Sequence, residues 1–156
     1  MPDAVSIVCP HCDAVARLAA VTFAGGEARC GSCGSLLFDG RPAALADAVR
    51  FQKHMVSNDV PVLVLFCAPW CGPCRVMAPD FERAALMLEP RMRLATLDID
   101  KASDVAARHG VRSIPTMILF SGGRELGRQS GAVRAAGIAA FVLQRLRAVN
   151  PAAQEA

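Results

Sequence analysis

The apolar run Val60-Pro61-Val62-Leu63-Val64-Leu65-Phe66 leads into Trp70-Cys71-Gly72-Pro73-Cys74, and a helical pattern follows directly. A run this continuous fits a central strand covered on both faces, not a strand with one face in water. The junction therefore predicts strand, tight turn and helix, with two thiols at the helix start. A helix N-terminus offers unpaired N–H groups and partial positive charge, which favour a thiolate. The thiolate is the form that attacks a disulfide. The first cysteine of such a pair is expected to be the more exposed, which assigns Cys71 as nucleophile and Cys74 as resolving thiol. The competing reading, half of a metal site, fits the intervening Gly72-Pro73 and the adjacent Trp70 less well.

The rest of the chain falls into two blocks. Residues 1–38 carry four cysteines and turn glycines at Gly25, Gly26, Gly31 and Gly34. Beyond Asp39-Gly40-Arg41-Pro42, where Gly and Pro break structure, helical and strand patterns alternate. The division expected is a small module over 1–38, a larger domain over 39–150, and a frayed tail over 151–156. Within the larger block Ala44, Leu45, Ala48, Phe51 and Met55 recur at helical spacing, with Pro42 placed to open that helix. A helix is expected from Cys74 to Leu88, kinked at Pro79. Strands are expected at Arg93–Ile99 and Thr116–Phe120, with a short helix over Ser103–His109 between them. Gly122-Gly123 marks a hairpin turn that pairs Arg124–Ser130 with the preceding strand. Ile138, Phe141, Val142 and Leu146 give one face of a last helix. Two βα steps, a hairpin and a helix imply an α/β fold, a mixed sheet with helices on both faces.

Cys9-x-x-Cys12 and Cys30-x-x-Cys33, seventeen residues apart, fit the spacing of a zinc site. Each pair can form a knuckle that turns two sulfurs towards one point. Four thiolates complete a closed tetrahedral shell with no open position. A module of about 35 residues cannot build a sufficient core alone, so the metal would supply folding energy. Iron in a rubredoxin-like site is the main alternative metal. Two disulfides fit a reducing compartment less well. Oxidative release of zinc would make the module a redox sensor. His11 lies inside a knuckle, but four cysteines already fill the shell.

Charge narrows the partners. The formal charge is +3, and residues 1–40 hold only Arg17 and Arg29 against Asp3, Asp13, Glu27 and Asp39. A basic nucleic-acid finger is therefore not expected. No segment reaches the roughly 18 apolar residues of a membrane span. The start Met1-Pro2-Asp3 has neither the basic nor the apolar stretch of a signal peptide, so a cytoplasmic location is the expectation; a monomer is expected separately. Cys67 reads as a small buried hydrophobe before a third redox thiol. His54 and His109 read as helix-surface residues, Asp100 as an N-cap, and Met77 and Met87 as packing.

With these residues in view, the chain resembles the thioredoxin family. The resemblance rests on Trp70-Cys71-Gly72-Pro73-Cys74, Pro79, Asp98-Ile99-Asp100 and Gly110-Val111-Arg112-Ser113-Ile114-Pro115-Thr116. It extends to Gly122-Gly123 and Gly131, over roughly residues 36–148. The N-terminal cysteine module is similar to the zinc ribbon of the second, zinc-binding type of bacterial thioredoxin. The resemblance implies a thioredoxin fold and a protein-disulfide reductase recharged by NADPH through thioredoxin reductase, with no bound organic cofactor. It implies that Cys71 attacks, that Cys74 resolves and that Pro115 is a cis-proline. Trp70, Gly72, Pro73, Ile114, Pro115 and Gly131 would form the substrate-docking surface. A disulfide isomerase, or a redox-sensing zinc-binding interaction protein, is the alternative. The chain departs from the pattern at Leu65, where most members carry a buried Asp, and at Thr96, where many carry a Lys. The carboxylate is thought to take the proton of the resolving cysteine. With Leu65 there, slower reduction near neutral pH and a more stable core are expected.

Overall fold

The computed structural model describes residues 3–149, so the expected tail over 151–156 lies outside the described residues. The elements in order are β1 (Ala4–Val8), β2 (Val15–Ala19), α1 (Ala20–Ala24), β3 (Ala43–Ala44), α2 (Ala48–Ser57) and β4 (Val62–Cys67). They continue with α3 (Gly72–Leu88), β5 (Arg93–Asp98), α4 (Ser103–Arg108), β6 (Thr116–Ser121), β7 (Arg124–Ser130) and α5 (Ala135–Val149). β1 and β2 form a separate hairpin. The main sheet runs β3-β5-β4-β6-β7. β3, β5 and β4 are parallel, whereas β6 and β7 pair antiparallel.

β4 is central, which explains its apolar run. The pleat sends alternate side chains to opposite faces. Leu63 and Leu65 pack with Met77, Phe81 and Leu88 of α3 and Phe141 and Val142 of α5. Val62, Val64 and Phe66 pack on the other face with Phe51 and Met55 of α2 and Val105 of α4. Each such fully buried side chain is worth about 1.5–3 kcal/mol over exposure. The helices on both faces and the mixed sheet agree with the sequence expectation.

Several local expectations are corrected. Pro42 does not open α2. Asp47 does, its carboxylate accepting the Arg50 N–H at 2.8 Å, while Ala43–Ala44 pair with β5. Ala44 and Leu45 therefore belong to an edge strand and its exit, a role that helical spacing alone does not separate from a first turn. Asp100 does not cap α4. Its N-cap position is Ala102, without a side-chain bond. Asp80, on α3 after Pro79, instead accepts the Ala135 N–H at 3.1 Å and so fixes the start of α5.

His54 is fully buried, contrary to its surface assignment. It lies with Arg50 and Asn58 on one side of α2, at i, i+4 and i+8, and this side grips the N-terminal module. Arg50 donates to the Pro10 carbonyl at 2.9 Å and from Nε to Asp13 at 3.0 Å. Asn58 accepts the Val8 N–H at 2.8 Å and donates to the His54 carbonyl at 3.1 Å. His54 Nε2 stands 3.5 Å from Asp13. Burial, reinforced by Arg93 nearby, holds this imidazole down at about 4, so it is neutral at pH 7. His109 is half-buried, its ring against Phe51 and Phe120.

A second anchor comes from β5. Arg93, fully buried, donates to the Leu37 carbonyl at 2.7 Å and the Val8 carbonyl at 3.2 Å. Its guanidinium lies 4.2 Å above the Phe38 ring and 3.6 Å from the Glu89 carboxylate. The module adds its own small core of Ile7, Leu37 and Phe38, closed by Val60 from the loop before β4.

Candidate functional site

The redox pair sits where β4 hands over to α3. Cys71 is the N-cap of α3, and Pro73 lies in the first turn, where its missing N–H costs no hydrogen bond. The Cys74 N–H donates to Cys71 Sγ at 3.3 Å. That N–H is one of the donors a helix start leaves without a partner in the helix. Cys71 and Cys74 are each only 5% exposed, so exposure does not separate them as the sequence suggested. What separates them is the helix start. Cys71 receives the N–H, whereas burial, with Cys71 beside it, pushes Cys74 up to about 12. Both cysteines are free thiols here.

The remaining segments named by the sequence converge on this point. The Ile114–Pro115 bond is cis, and the Ile114 carbonyl lies 4.0 Å from Cys71 Sγ. Gly131, with φ +95°, donates its N–H to the Pro115 carbonyl at 2.8 Å. Only glycine adopts that backbone freely. Trp70 is 64% exposed beside Cys71, and Gly72 and Pro73 are exposed on the first turn. Trp70, Gly72 and Pro73 thus flank Cys71 along the chain, half-buried Ile114 packs against its cluster, and buried Pro115 ties Ile114 to Gly131. The sequence reading missed one member. Asp100 accepts the Trp70 indole N–H at 2.8 Å and so holds an exposed ring in place. Its position after β5, whose end lies beside that of β4, was the available signal.

Leu65, two residues before Cys67 on β4, is 2% exposed in the core under α3 and pairs with Thr96 across the β4–β5 ladder. Leu65 and Thr96 are thus direct neighbours in the sheet, and neither carries a charge. Cys67 is half-buried and packs against Ala68, Cys71 and Cys74.

The four N-terminal cysteines form a second cluster, with all sulfurs within 4.8 Å of one another. Cys9 and Cys33 sulfurs are 3.7 Å apart and those of Cys12 and Cys30 3.6 Å apart. A tetrahedral zinc with Zn–S near 2.3 Å needs sulfur separations of about 3.8 Å. The two knuckles are alike. In the first, the Asp13 N–H donates to the Cys9 carbonyl and the Cys9 N–H to the Ala14 carbonyl. In the second, Gly34 donates to Cys30 and Cys30 to Ser35. Asp13 and Gly34, four residues after each first cysteine, both have positive φ, 64° and 76°. The His11 and Ser32 N–H groups each point at the first sulfur of their knuckle, at 3.4 Å. His11 itself turns to Asp39 at 3.5 Å and stays out of the cluster. The donor set fits a structural, closed zinc site.

Fold and site together define a thiol–disulfide oxidoreductase. A sequence model of the thioredoxin family matches residues 43–144, and the chain belongs to that family. It is 42% identical to thioredoxin 1 of Nostoc sp. over 91 residues, covering 58% of this chain and 85% of that one. It is 34% identical to thioredoxin C-3 of Corynebacterium nephridii over 141 residues, 90% of this chain and 95% of that one. The second match cannot reach that coverage without entering residues 1–38. Among solved structures, Fasciola hepatica thioredoxin is 30% identical with a TM-score of 0.59, covering 65% of this chain and 97% of that one. A Halobacterium salinarum thioredoxin is 26% identical with a TM-score of 0.61, covering 68% and 91%. No helix among the described residues is long and apolar enough to cross a membrane.

Proposed function

We propose that this protein is a protein-disulfide reductase of the zinc-binding second thioredoxin type, working in the cytoplasm as a monomer and recharged by NADPH through thioredoxin reductase. In this reading residues 1–38 form a zinc ribbon and residues 39–150 the thioredoxin domain. The observation that carries the redox assignment is Cys71 Sγ at the N-cap of α3, accepting the Cys74 N–H beside the Ile114 carbonyl.

Cys71 thiolate attacks one sulfur of a substrate disulfide held along Trp70, Ile114, Pro115 and Gly131, and the other sulfur leaves as a thiolate. Cys74, whose pKa of about 12 keeps it protonated until then, gives its proton to that thiolate or to water and attacks Cys71 Sγ. The substrate departs with both sulfurs reduced, and the Cys71–Cys74 disulfide remains. Two electrons from the reductase restore the dithiol. Leu65 offers the proton no carboxylate, so the second step is the slow one near neutral pH.

Cys9, Cys12, Cys30 and Cys33 would hold zinc, which supplies a four-way cross-link and no reactive position. The exposure of Cys12 and Cys33 favours one second reading, in which oxidants reach the metal site and the ribbon reports redox state to a partner.

The test is insulin-disulfide reduction driven by NADPH and a thioredoxin reductase. Turnover in the wild type, lost in Cys71→Ser and kept in Cys9→Ser, is the expected result. Activity that survives Cys71→Ser overturns the assignment.

A further inference from the structure

Cys67 is the one thiol outside the zinc cluster that the proposed cycle leaves unused. The pleat of β4 puts it on the same face as Leu63 and Leu65, the face covered by α3. It therefore points towards the helix that carries Cys74, not away from it. Its neighbours are Ala68, Cys71 and Cys74. Its sulfur lies 3.9 Å from the Leu65 carbonyl, and its strand partner is Asp98. Ile99 donates its N–H to the Cys67 carbonyl at 3.0 Å, which ties the backbone here to β5. Three thiols thus share one apolar cluster at the turn between β4 and α3.

We infer that Cys67 is a third redox thiol of the site, which exchanges with the Cys71–Cys74 disulfide to form Cys67–Cys74 and set Cys71 free. The inference rests on the reading of Cys71 and Cys74 as the redox pair. In the exchange, Cys67 Sγ, after giving its proton to water, bonds to Cys74 Sγ. The Cys71–Cys74 bond breaks, and Cys71 leaves with the electron pair as a thiolate. One S–S bond replaces another, so no outside oxidant or reductant is consumed.

The chemistry favours this direction of attack. A sulfur with a high pKa is the stronger nucleophile once ionised, although less of it is ionised at a given pH, and a sulfur that accepts a hydrogen bond as it departs is the better leaving group. Burial first, then Asp98 and Cys71, hold Cys67 above its ordinary value, while the interaction with Cys74 draws it partly back. Cys71 leaves onto the N–H of Cys74 at the start of α3. The oxidised protein then carries a free nucleophile at the docking surface, able to open a mispaired substrate disulfide without first being reduced.

Trypsin cuts after Lys53 and Arg75 and so places Cys67, Cys71 and Cys74 in one peptide, with no zinc ligand in it. The full-length, zinc-loaded wild type is oxidised with glutathione disulfide, quenched in acid, alkylated with iodoacetamide and mapped by tandem mass spectrometry. The peptide should be lighter by two hydrogens and carry a single label, divided between Cys67 and Cys71. A label on Cys67 alone overturns the exchange and leaves the Cys71–Cys74 pair standing. Three labelled thiols overturn the pair and the exchange together. Cys71→Ser gives a second reading of the same bond. Its peptide should also lose two hydrogens and hold no glutathione, whereas glutathione retained on Cys74 with Cys67 free to alkylate overturns the exchange.

Discussion

The two ends of the central sheet are built by opposite rules. The redox end, at the exits of β4 and β5, is a thin apolar cluster of Ala68, Cys71 and Cys74 with an exposed Trp70 over it. The ribbon end, at the entrances of the same strands, buries polar groups deeply: Arg93, His54 and Asn58 are all at most 4% exposed. β4 alone separates the ends by about 20 Å. α3 spans both, starting at Cys71 and ending where Glu89 meets Arg93, about 25 Å away. A site that must open to a substrate strand has little holding it from the solvent side. A docked module without much core of its own is held by hydrogen bonds that only close if every partner is in place. Chemistry at one end should therefore be separable from stability at the other.

The sharpest way to break this comparison is a pair of cysteine changes. Cys71→Ser should take insulin reduction to background with little change in melting temperature. Cys9→Ser should keep most of the reduction while removing bound zinc and loosening the ribbon. Zinc content, turnover and thermal melts on both variants check it, and equal loss of turnover in the two would mean that the ends are coupled.

Arg93→Met comes next. It removes the donor to Val8 and Leu37 and leaves Glu89 buried without its cation. Each buried carbonyl left without its donor costs about 1–3 kcal/mol, read as a lower urea midpoint. Turnover per folded molecule should hold, since Arg93 lies at the far end of β5 from Cys71. A fall in turnover as large as the fall in stability would show that the ribbon's docking shapes the redox site.

Leu65→Asp probes the other end. A carboxylate beneath the pair should speed reduction near neutral pH by about tenfold or more. It should also cost about 2–5 kcal/mol, because a packed leucine is lost and a charge is buried. A variant neither faster nor less stable would remove Leu65 from any account of this protein's rate.

The same contrast explains what is legible in the sequence. The redox end lies in a local motif: the thiol spacing, the apolar run before it and the helix after it are contiguous. The knuckles were equally local. Ile114-Pro115 and Gly131 were placed at the site through the family resemblance, not through the motif's own chemistry. The ribbon's anchors were not legible, because they join residues far apart in sequence. Arg93 reaches back 85 positions to Val8, and Asn58 reaches back 50. Nothing near Arg93 in the chain says that its guanidinium will lie over the Phe38 ring. Helical periodicity places His54 at the surface because it distinguishes core from solvent and has no category for a face that meets a second module. Asp100 reads as an N-cap in the sequence for a related reason. An Asp before a short helix has a common local role, and its indole partner is 30 positions away.

The smallest effect expected is a pH dependence confined to the ribbon end. Burial outweighs the attraction of Arg93 and raises the Glu89 carboxyl from 4.5 to about 7. Between those values the folded protein holds a proton that the unfolded chain has released. Stability from this group is therefore full below 4.5, falls as pH rises, and is gone above about 7. Glu89→Gln keeps the shape and removes the titration. The stability of the wild type relative to Glu89→Gln should thus shrink between about pH 5 and about pH 8 in urea unfolding of the two zinc-loaded proteins. Both share the same cysteines, so the pH dependence of the metal site cancels in the difference. A difference that is flat or grows with pH would mean that Arg93 keeps Glu89 ionised throughout, and the anchor would then be a permanent ion pair instead of a neutral acid beside a buried cation.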